Sequence, residues 1–264
     1  MRLYWEIARR GFRRYAVYRS ATMAGAFTNT VFGVLRCYIL LAAFTHRTHI
    51  GNLSPQDAVT FSLVAQSTLM VTALFAGGTE IATRIRTGAI VTDLYRPVDF
   101  QRYWLAHDTG RAAYQASWRC LPPFVVGALI FDVRLPEHPA TWAVFALSIT
   151  LALLVSFGVR FLIGLSAFWL LDDRGASQLV TALQLFLSGF LVPIQFFPHW
   201  LATVSRALPF AAMVQVPMDV FLEKYSGPGL AGVLGFQLAW GVVLYAAGRA
   251  ILSAATRRVV IQGG

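Results

Sequence analysis

The sequence predicts an all-α polytopic membrane protein with about six transmembrane helices, and three observations support this fold class. First, 57% of the 264 residues are hydrophobic and the mean hydropathy is +0.60. Second, only 13% of the residues are charged, whereas ordinary soluble domains are about one-quarter charged. Third, several apolar runs approach the roughly 20 residues that a helix needs to cross a bilayer. We therefore expect most of the chain to lie in a membrane.

The first predicted element is an amphipathic helix over residues 3–18, within an N-terminal segment of residues 1–20. This segment is basic but lacks the short apolar core and cleavage site of a secretory signal, so we do not expect it to be removed. Its two faces differ in polarity, which is typical of a helix that lies along a membrane interface. The apolar face holds Tyr4, Ile7, Ala8, Gly11, Tyr15 and Tyr18, and the charged face holds Glu6, Arg9 and Arg13.

A single transmembrane domain is predicted to follow over residues 21–264. Its third span is short; a start nearer Ala112 is an alternative, with CLPP at Cys120–Pro123 as a kink inside the helix bundle. Cys37 and Cys120 have no metal-type partner at close spacing and are expected to be buried free thiols. The predicted spans are residues 21–44, 58–77, 117–131, 140–171, 176–196 and 230–253.

The basic residues of the connecting segments are distributed unequally between the two sides of the predicted bundle. One side holds Arg2, Arg9, Arg10, Arg13, Arg14, Arg19, Arg84, Arg86, Arg96, Arg102, Arg111, Arg174, Arg257 and Arg258. The other side holds only Arg47, Arg134, Arg206 and Lys224. With an even number of spans, the positive-inside rule puts both termini in the cytoplasm. The net charge of +10 has the same explanation, so nucleic-acid binding is not expected.

The connection between the fifth and sixth spans is long, external and mostly apolar. Prolines divide it into pieces that are too short to cross a bilayer. Short re-entrant helices are the expected solution, because irregular backbone is not tolerated in contact with hydrocarbon. These prolines are Pro193, Pro198, Pro209, Pro217 and Pro228.

Three of the polar residues inside predicted spans are candidates for a substrate path or another intramembrane role, namely Arg36, Arg160 and Gln184. An arginine near the middle of a membrane costs about 2.5–3.5 kcal/mol on insertion scales, so it usually faces protein, water or a partner. For the arginines, two interpretations stay open: they line a substrate path, or they extend towards a membrane interface.

No motif indicates catalysis, since the chain lacks a phosphate loop, HExxH, GxSxG and paired CxxC. HRTH at His46–His49 has a spacing compatible with metal binding but lies in a short external loop without a nearby carboxylate. LDDRG at Leu171–Gly175 is better explained as a tight cytoplasmic turn in which Asp172 or Asp173 caps the next helix. We therefore expect no catalytic residue, metal site or cofactor in this chain.

The most polar internal segment, Thr83–Arg111, changes helical phase near its start. One apolar stripe holds Ile81, Ile85 and Gly88; the next holds Ile90, Val91, Leu94 and Tyr95, with Arg86, Asp93 and Arg96 opposite. A straight helix would not carry both stripes, so the pattern predicts a helix end near Thr87–Gly88. A second short helix follows and stops at Arg96, because the residue before Pro97 is disfavoured in helical geometry.

These segments together resemble the membrane subunit of a type-2 ABC exporter. Leu3–Tyr18 is similar to the family's N-terminal connecting helix, and about six spans follow with both ends inside. IRTGAIVTDLYRPVDF at Ile85–Phe100 is similar to the coupling helix between spans two and three. LSGFLVPIQFFPHWLATVSRALPF at Leu187–Phe210 is similar to the family's re-entrant region. The run Gly88–Pro97 resembles the bacterial branch that has one ATPase and two related permeases.

The resemblance implies that a coupling helix at about residues 86–97 docks on a dimer of ABC ATPase subunits, which binds ATP and Mg²⁺. It also implies a second permease chain, either a copy of this one or a paralogue. Glu80 would transmit the motion into the bilayer, or alternatively pair with Arg84. The implied docking residues are Arg84, Arg86, Gly88, Ile90, Asp93, Leu94 and Arg96.

The function implied by the resemblance is ATP-driven export of a hydrophobic or amphipathic substrate, such as a drug, natural product or lipid. Transport would proceed by alternating access across the bacterial plasma membrane, and the chain would not be an enzyme by itself. Two alternatives remain: a membrane-embedded enzyme that acts on a lipid or prenyl substrate, and an ATP-independent carrier. Carriers often carry internal repeats, and no convincing repeat is found here.

Overall fold

The computed structural model describes residues 2–75, 79–170 and 174–262, and the regular structure within these ranges is helical. A short 3₁₀ helix, Ile194–Phe196, lies between the ninth and tenth α-helices. The α-helices are α1 (Arg2–Ala16), α2 (Arg19–Ala42), α3 (Pro55–Thr72), α4 (Thr79–Arg86), α5 (Ile90–Leu94), α6 (Phe100–Trp118), α7 (Leu121–Ile130), α8 (Pro139–Ser166), α9 (Arg174–Leu187), α10 (His199–Ala207), α11 (Gln215–Phe221) and α12 (Gly227–Gln262).

Three of the described helices are long and apolar enough to cross a membrane. They are α2, α8 and residues Gly227–Arg257 of α12, with mean hydropathies of 1.4, 2.2 and 1.7. The fold is therefore an all-helical membrane protein, as predicted. The count of six spans stays a prediction, because α3 has 18 residues and α9 only 14.

Two predicted spans differ from the helices found in their place. The third is divided between α6 and α7, and the break falls at Arg119–Cys120, just before the two prolines of α7. Proline is compatible with a first helical turn, where its missing N–H is not needed. The fifth was predicted to reach residue 196, but α9 ends at Leu187. Gly189 follows with φ +81°, a left-handed conformation that suits glycine and ends the helix.

Helix α3 forms the centre of the bundle, with Phe61 and Leu63 almost fully buried. It begins with a capping box, in which Ser54 and Asp57 each accept a hydrogen bond from the other's backbone N–H. Its buried threonine hydroxyl groups, such as that of Thr68, donate to carbonyl oxygens one turn back. A helix with this many polar residues is buried in protein rather than exposed to lipid.

Helix α1 packs along α6 through a pair of glycines. A Cβ atom on Gly11 would lie 2.5 Å from the His107 carbonyl oxygen, and one on Gly110 would overlap the Ala8 carbonyl. The predicted amphipathic helix is thus present, but the centre of its apolar stripe packs on protein, with Ile7 and Gly11 buried. Its position along a membrane interface stays a prediction.

The proline-rich connection after α9 forms short helices, α10 and α11, both too short to cross a bilayer. Helix α11 is buried against α3 and α8, whereas Trp200 of α10 is 67% exposed. At the predicted turn Leu171–Gly175, residues 171–173 lie outside the described residues, and α9 begins at Arg174.

Candidate functional site

The segment between α4 and α5 holds the helix break that the phase change predicts. Helix α4 ends at Arg86, α5 begins at Ile90, and Gly88 lies between them with φ +73°. A Cβ atom on Gly88 would meet nothing within 4 Å. The left-handed backbone therefore favours glycine here, rather than any lack of space. Helix α5 ends at Leu94, two residues before the predicted stop.

One side of α5 is fixed to the helix bundle by apolar contacts. Ile90 is 3% exposed and belongs to a buried cluster with Phe100 and Trp104 of α6 and Phe161 of α8. Leu94 packs against the same cluster and is partly buried. Two of the predicted docking residues, Ile90 and Leu94, thus face the bundle.

An ion pair between Arg84 and Asp93 holds α5 against α4. The Arg84 guanidinium donates to Asp93 Oδ2 at 2.7 Å, and Arg96 lies 3.5 Å from Asp93 Oδ1. The Asp93 side chain is only 6% exposed. The sequence pattern put Asp93 on the exposed charged face, and this is wrong, because two arginines neutralise the carboxylate and allow its burial.

The outer side of α5 carries residues that the sequence reasoning assigned to the bundle. Tyr95 is 85% exposed and Val91 is 40% exposed. Arg86 at the end of α4 and Arg96 after α5 are exposed as well. We call Arg86, Val91, Tyr95 and Arg96 the α5 surface. A five-residue helix buries only one narrow stripe of side chains, here Ile90 and Leu94 at positions i and i+4. The same spacing, applied to the sequence, would have placed Val91 and Tyr95 outside this stripe.

Glu80 joins α4 to α1. Its Oε1 atom accepts a hydrogen bond from Arg14 at 2.9 Å, and both side chains are partly exposed. The alternative pairing of Glu80 with Arg84 is not found, since Arg84 pairs with Asp93 instead.

The start of α6 is tied to α12 through Asp99. This carboxylate caps α6 by accepting from the Arg102 N–H at 2.8 Å, and it also accepts from the Arg249 guanidinium. Burial acts to raise the pKa of Asp99, but these two hydrogen bonds and the Arg249 charge hold the pKa below its usual value. The carboxylate therefore stays ionised and fixes the N-terminus of α6, which follows α5 in the chain.

A buried charged cluster lies one turn beyond Trp104 on α6. Asp108 accepts from Arg111 Nε at 2.7 Å and from an Arg160 terminal nitrogen at 2.6 Å. Arg111 also donates to the carbonyl oxygens of Met70 and Val71, at 2.6 and 2.9 Å, near the end of α3. We call Asp108, Arg111 and Arg160 the Asp108 cluster, which joins α3, α6 and α8.

Sequence reasoning missed Asp108 and Arg111, although two observations point to them. Their i,i+3 spacing puts them on adjacent turns of one helix face. An arginine within a span, such as Arg160, also needs a counter-ion or polar partners.

Comparison with known proteins agrees with this architecture. A family model described as "ABC-2 family transporter protein" matches residues 32–263. The chain belongs to this family. No curated protein matches the chain. Membership confirms the predicted relationship and identifies the chain as a membrane permease of an ABC-type transporter. Such a permease works with an ABC ATPase and is a transport subunit rather than an enzyme by itself.

The other two candidate polar residues in the spans of this ABC-2 permease, Gln184 and Arg36, have protein partners. Gln184 is 2% exposed and donates to the Leu74 carbonyl oxygen at 2.9 Å. Arg36 donates to Gln66 Oε1 at 2.9 Å and to the Phe190 carbonyl oxygen, and its guanidinium carbon lies 4.1 Å from the Phe190 ring centroid. A role for these residues or Arg160 in a substrate path stays a prediction.

The described part of the permease contains no group of three or more His, Cys, Asp or Glu side chains that could hold a metal ion. Cys37 is a buried free thiol as predicted, whereas Cys120 is free and only partly buried.

Proposed function

We propose that this chain is the membrane-spanning permease subunit of an ATP-driven exporter. A separate ABC ATPase dimer binds ATP and Mg²⁺ and docks on the α5 surface. Nucleotide-driven closure of that dimer moves α5 and shifts the bundle from inward-open to outward-open. Arg86 and Arg96 contribute positive charge to the contact, and Gly88 permits the turn that presents α5.

The exposure of Tyr95 carries this proposal. Tyr95 directly follows α5 and is 85% exposed, whereas Ile90 on the opposite side of that helix is buried in the bundle. Tyrosine and arginine are enriched among residues that dominate binding energy at protein interfaces. The α5 surface offers both beside a short helix that the Arg84–Asp93 ion pair joins to α4. It therefore has the properties of a pre-organised docking site.

Movement of α5 has a direct physical route into the bundle. The buried side of α5 packs on Trp104, and Trp104 lies one turn from Asp108 on the same rigid helix. The Asp108 cluster then connects α6 to the end of α3 and to α8. A displacement at α5 would thus tilt α3, α6 and α8 together, which is the kind of two-state coupling that alternating access requires.

A second permease chain completes the proposed transporter. Helix α2 exposes large apolar side chains, including Phe27 at 72% and Ile39 at 70%, and α9 exposes Leu179 at 62%. Such a surface suits lipid or another helix bundle. The substrate proposed for a path between the two permeases is hydrophobic or amphipathic, such as a drug, natural product or lipid.

The proposed location is a bacterial plasma membrane with both termini in the cytoplasm. The α5 surface must face the cytoplasmic ATPase, and it lies among the connecting segments that hold most of the arginines. This distribution is the one that the positive-inside rule associates with the cytoplasm.

The test is co-purification of the chain with its cognate ATPase. Tyr95→Ala is expected to weaken the assembly by roughly tenfold or more, because it removes a central aromatic contact. Tyr18→Ala is the matched control, since Tyr18 is 66% exposed but lies between α1 and α2. Wild-type affinity and ATPase activity for the Tyr95→Ala complex would refute docking through the α5 surface.

A further inference from the structure

A cavity of about 460 Å³ opens where α1 turns into α2 and both helices meet α6. Its walls are contributed by all three helices, so its shape depends on the packing of α1 on α6. This volume falls in the range of small-molecule pockets. We call it the α1–α6 cavity. The lining residues are Phe12, Ala16, Arg19, Thr22, Met23, Tyr114 and Trp118.

The chemistry of the lining is amphipathic. Phe12 and Tyr114 pack edge to face with ring centroids 5.3 Å apart and make an apolar wall. At the rim, Met23 is 73% and Trp118 is 61% exposed, so the cavity is open at the side. The Thr22 and Tyr114 hydroxyl groups lie 2.9 Å apart and offer hydrogen bonds at its surface. Such a lining suits a ligand with an acyl chain and a polar head.

The charge at the cavity is positive and uncompensated. Arg19 lines the cavity as an exposed side chain, and it has no carboxylate partner among the described residues. No Asp or Glu is among the described lining residues. By contrast, Arg14 on the preceding helix is neutralised by Glu80. A ligand with a negative charge near Arg19 would supply the missing counter-ion.

A second cation lies close by at the end of α6. The Arg119 guanidinium crosses over Gly25 of α2, where a Cβ atom would overlap it, and donates to the Ala21 carbonyl oxygen at 3.4 Å. Its Nε atom is buried without a hydrogen-bond partner. Two arginines thus flank the first turns of α2 beside the cavity.

The position of the cavity identifies the source of the ligand. Arg19 is the first residue of α2, one of the three helices that can cross a membrane. The first turn of such a helix lies at headgroup level, where Trp and Tyr side chains also concentrate. With α2 spanning the bilayer, lipid headgroups would reach the open side of the cavity.

We propose that the α1–α6 cavity binds an anionic phospholipid of the surrounding bilayer. Its phosphate pairs with Arg19 at the rim, and the first part of an acyl chain lies against Phe12, Tyr114 and Trp118. A bound lipid would brace the turn between α1 and α2, and would hold α1 on α6. Zwitterionic lipids bind less well, because their headgroup brings its own positive charge to the two arginines.

The test measures lipid adducts on the purified full chain by native mass spectrometry. The probes are dioleoylphosphatidylglycerol, dioleoylphosphatidylcholine and inorganic phosphate, each added separately at matched concentrations. The phosphatidylglycerol adduct is expected to dominate, and Arg19→Gln is expected to weaken it about fivefold. Arg13→Gln is the matched control, because it removes an exposed arginine of α1 that does not line the cavity.

A second variant tests the cavity independently of charge. Ala16→Phe fills the space and keeps Arg19, and it is expected to lower phosphatidylglycerol binding while thermal unfolding stays cooperative. Three results would overturn the proposal: equal binding of the two lipids, equal effects of Arg19→Gln and Arg13→Gln on phosphatidylglycerol binding, or an adduct of inorganic phosphate as abundant as that of phosphatidylglycerol. The last would indicate a simple anion site that makes no use of the apolar wall.

Discussion

Two arginines within predicted spans, Arg160 and Arg36, have different surroundings. Arg160 donates to both carboxylate oxygens of Asp108, so its charge is neutralised inside the chain. Arg36 is held by neutral acceptors, the Gln66 amide oxygen and the Phe190 carbonyl, and by the face of the Phe190 ring. The described residues place no carboxylate within ion-pair distance of Arg36.

These two surroundings show that the position of an arginine within a span does not define its role. Arg160 is a structural link, because removing it would leave Asp108 with half of its counter-charge. Arg36 brings a net positive charge into an apolar helix, and its Nε atom is buried without a hydrogen-bond partner. A charge of this kind is costly to keep in a membrane, so it is a candidate for a role in function.

The largest effect is expected when the Asp108 carboxylate, which Arg111 and Arg160 share, is removed. Asp108→Asn keeps the shape of the side chain but leaves Arg111 and Arg160 buried without an anion. We expect the free energy of unfolding to fall by about 3–5 kcal/mol, as when one partner of a buried ion pair is lost. Thermal unfolding of the purified chain in detergent measures the change. A loss below about 1 kcal/mol would show that the Asp108 cluster does not stabilise the bundle.

The next test exchanges each arginine for an apolar residue of similar length. Arg160→Met is expected to cost about 2 kcal/mol or more, because Asp108 loses one of two cationic partners. Arg36→Met removes a charge that has no counter-ion, so its effect on unfolding is expected to be under about 1 kcal/mol or stabilising. Its effect is expected on transport instead, measured with the permease reconstituted with its ATPase. Equal losses of stability for the two variants would show that Arg36 is as important for the fold as Arg160.

The sequence predicts some of these features because their causes are local. The helix end near Gly88 follows from a change of hydrophobic phase, and the break at Cys120 follows from two adjacent prolines. The Asp108 cluster could not be predicted in the same way, because Asp108 and Arg160 are 52 positions apart and meet only through packing. The end of α9 was missed because Gly189 and Pro193 lie within a run whose mean hydropathy remains high.

The smallest expected effect is at Glu223, an anion held mainly by neutral donors, in contrast to Arg36, a cation held by neutral acceptors. Glu223 accepts from the Thr141 hydroxyl at 2.6 Å and from the N–H groups of Glu137 and His138, at the start of α8. The Thr141 hydrogen bond is the main cause that lowers the pKa of Glu223 to about 2, and the backbone N–H groups add to it. A helix N-terminus favours an anion in the same way.

The pKa of Glu223 in the folded chain lies below the value of about 4.3 in the unfolded chain. The ionised carboxylate therefore stabilises the fold above pH 4.3, and this contribution is lost as the pH falls towards 2. Glu223→Gln is therefore expected to lower stability at pH 7 by under about 1 kcal/mol, as for exposed polar contacts. The gap from wild type should narrow between pH 4.3 and 2 in thermal unfolding. A gap that is constant with pH would mean that shape, not charge, decides the contact. The prediction for Arg36 would then be weakened too, because both predictions assume that neutral partners can stabilise a charged side chain.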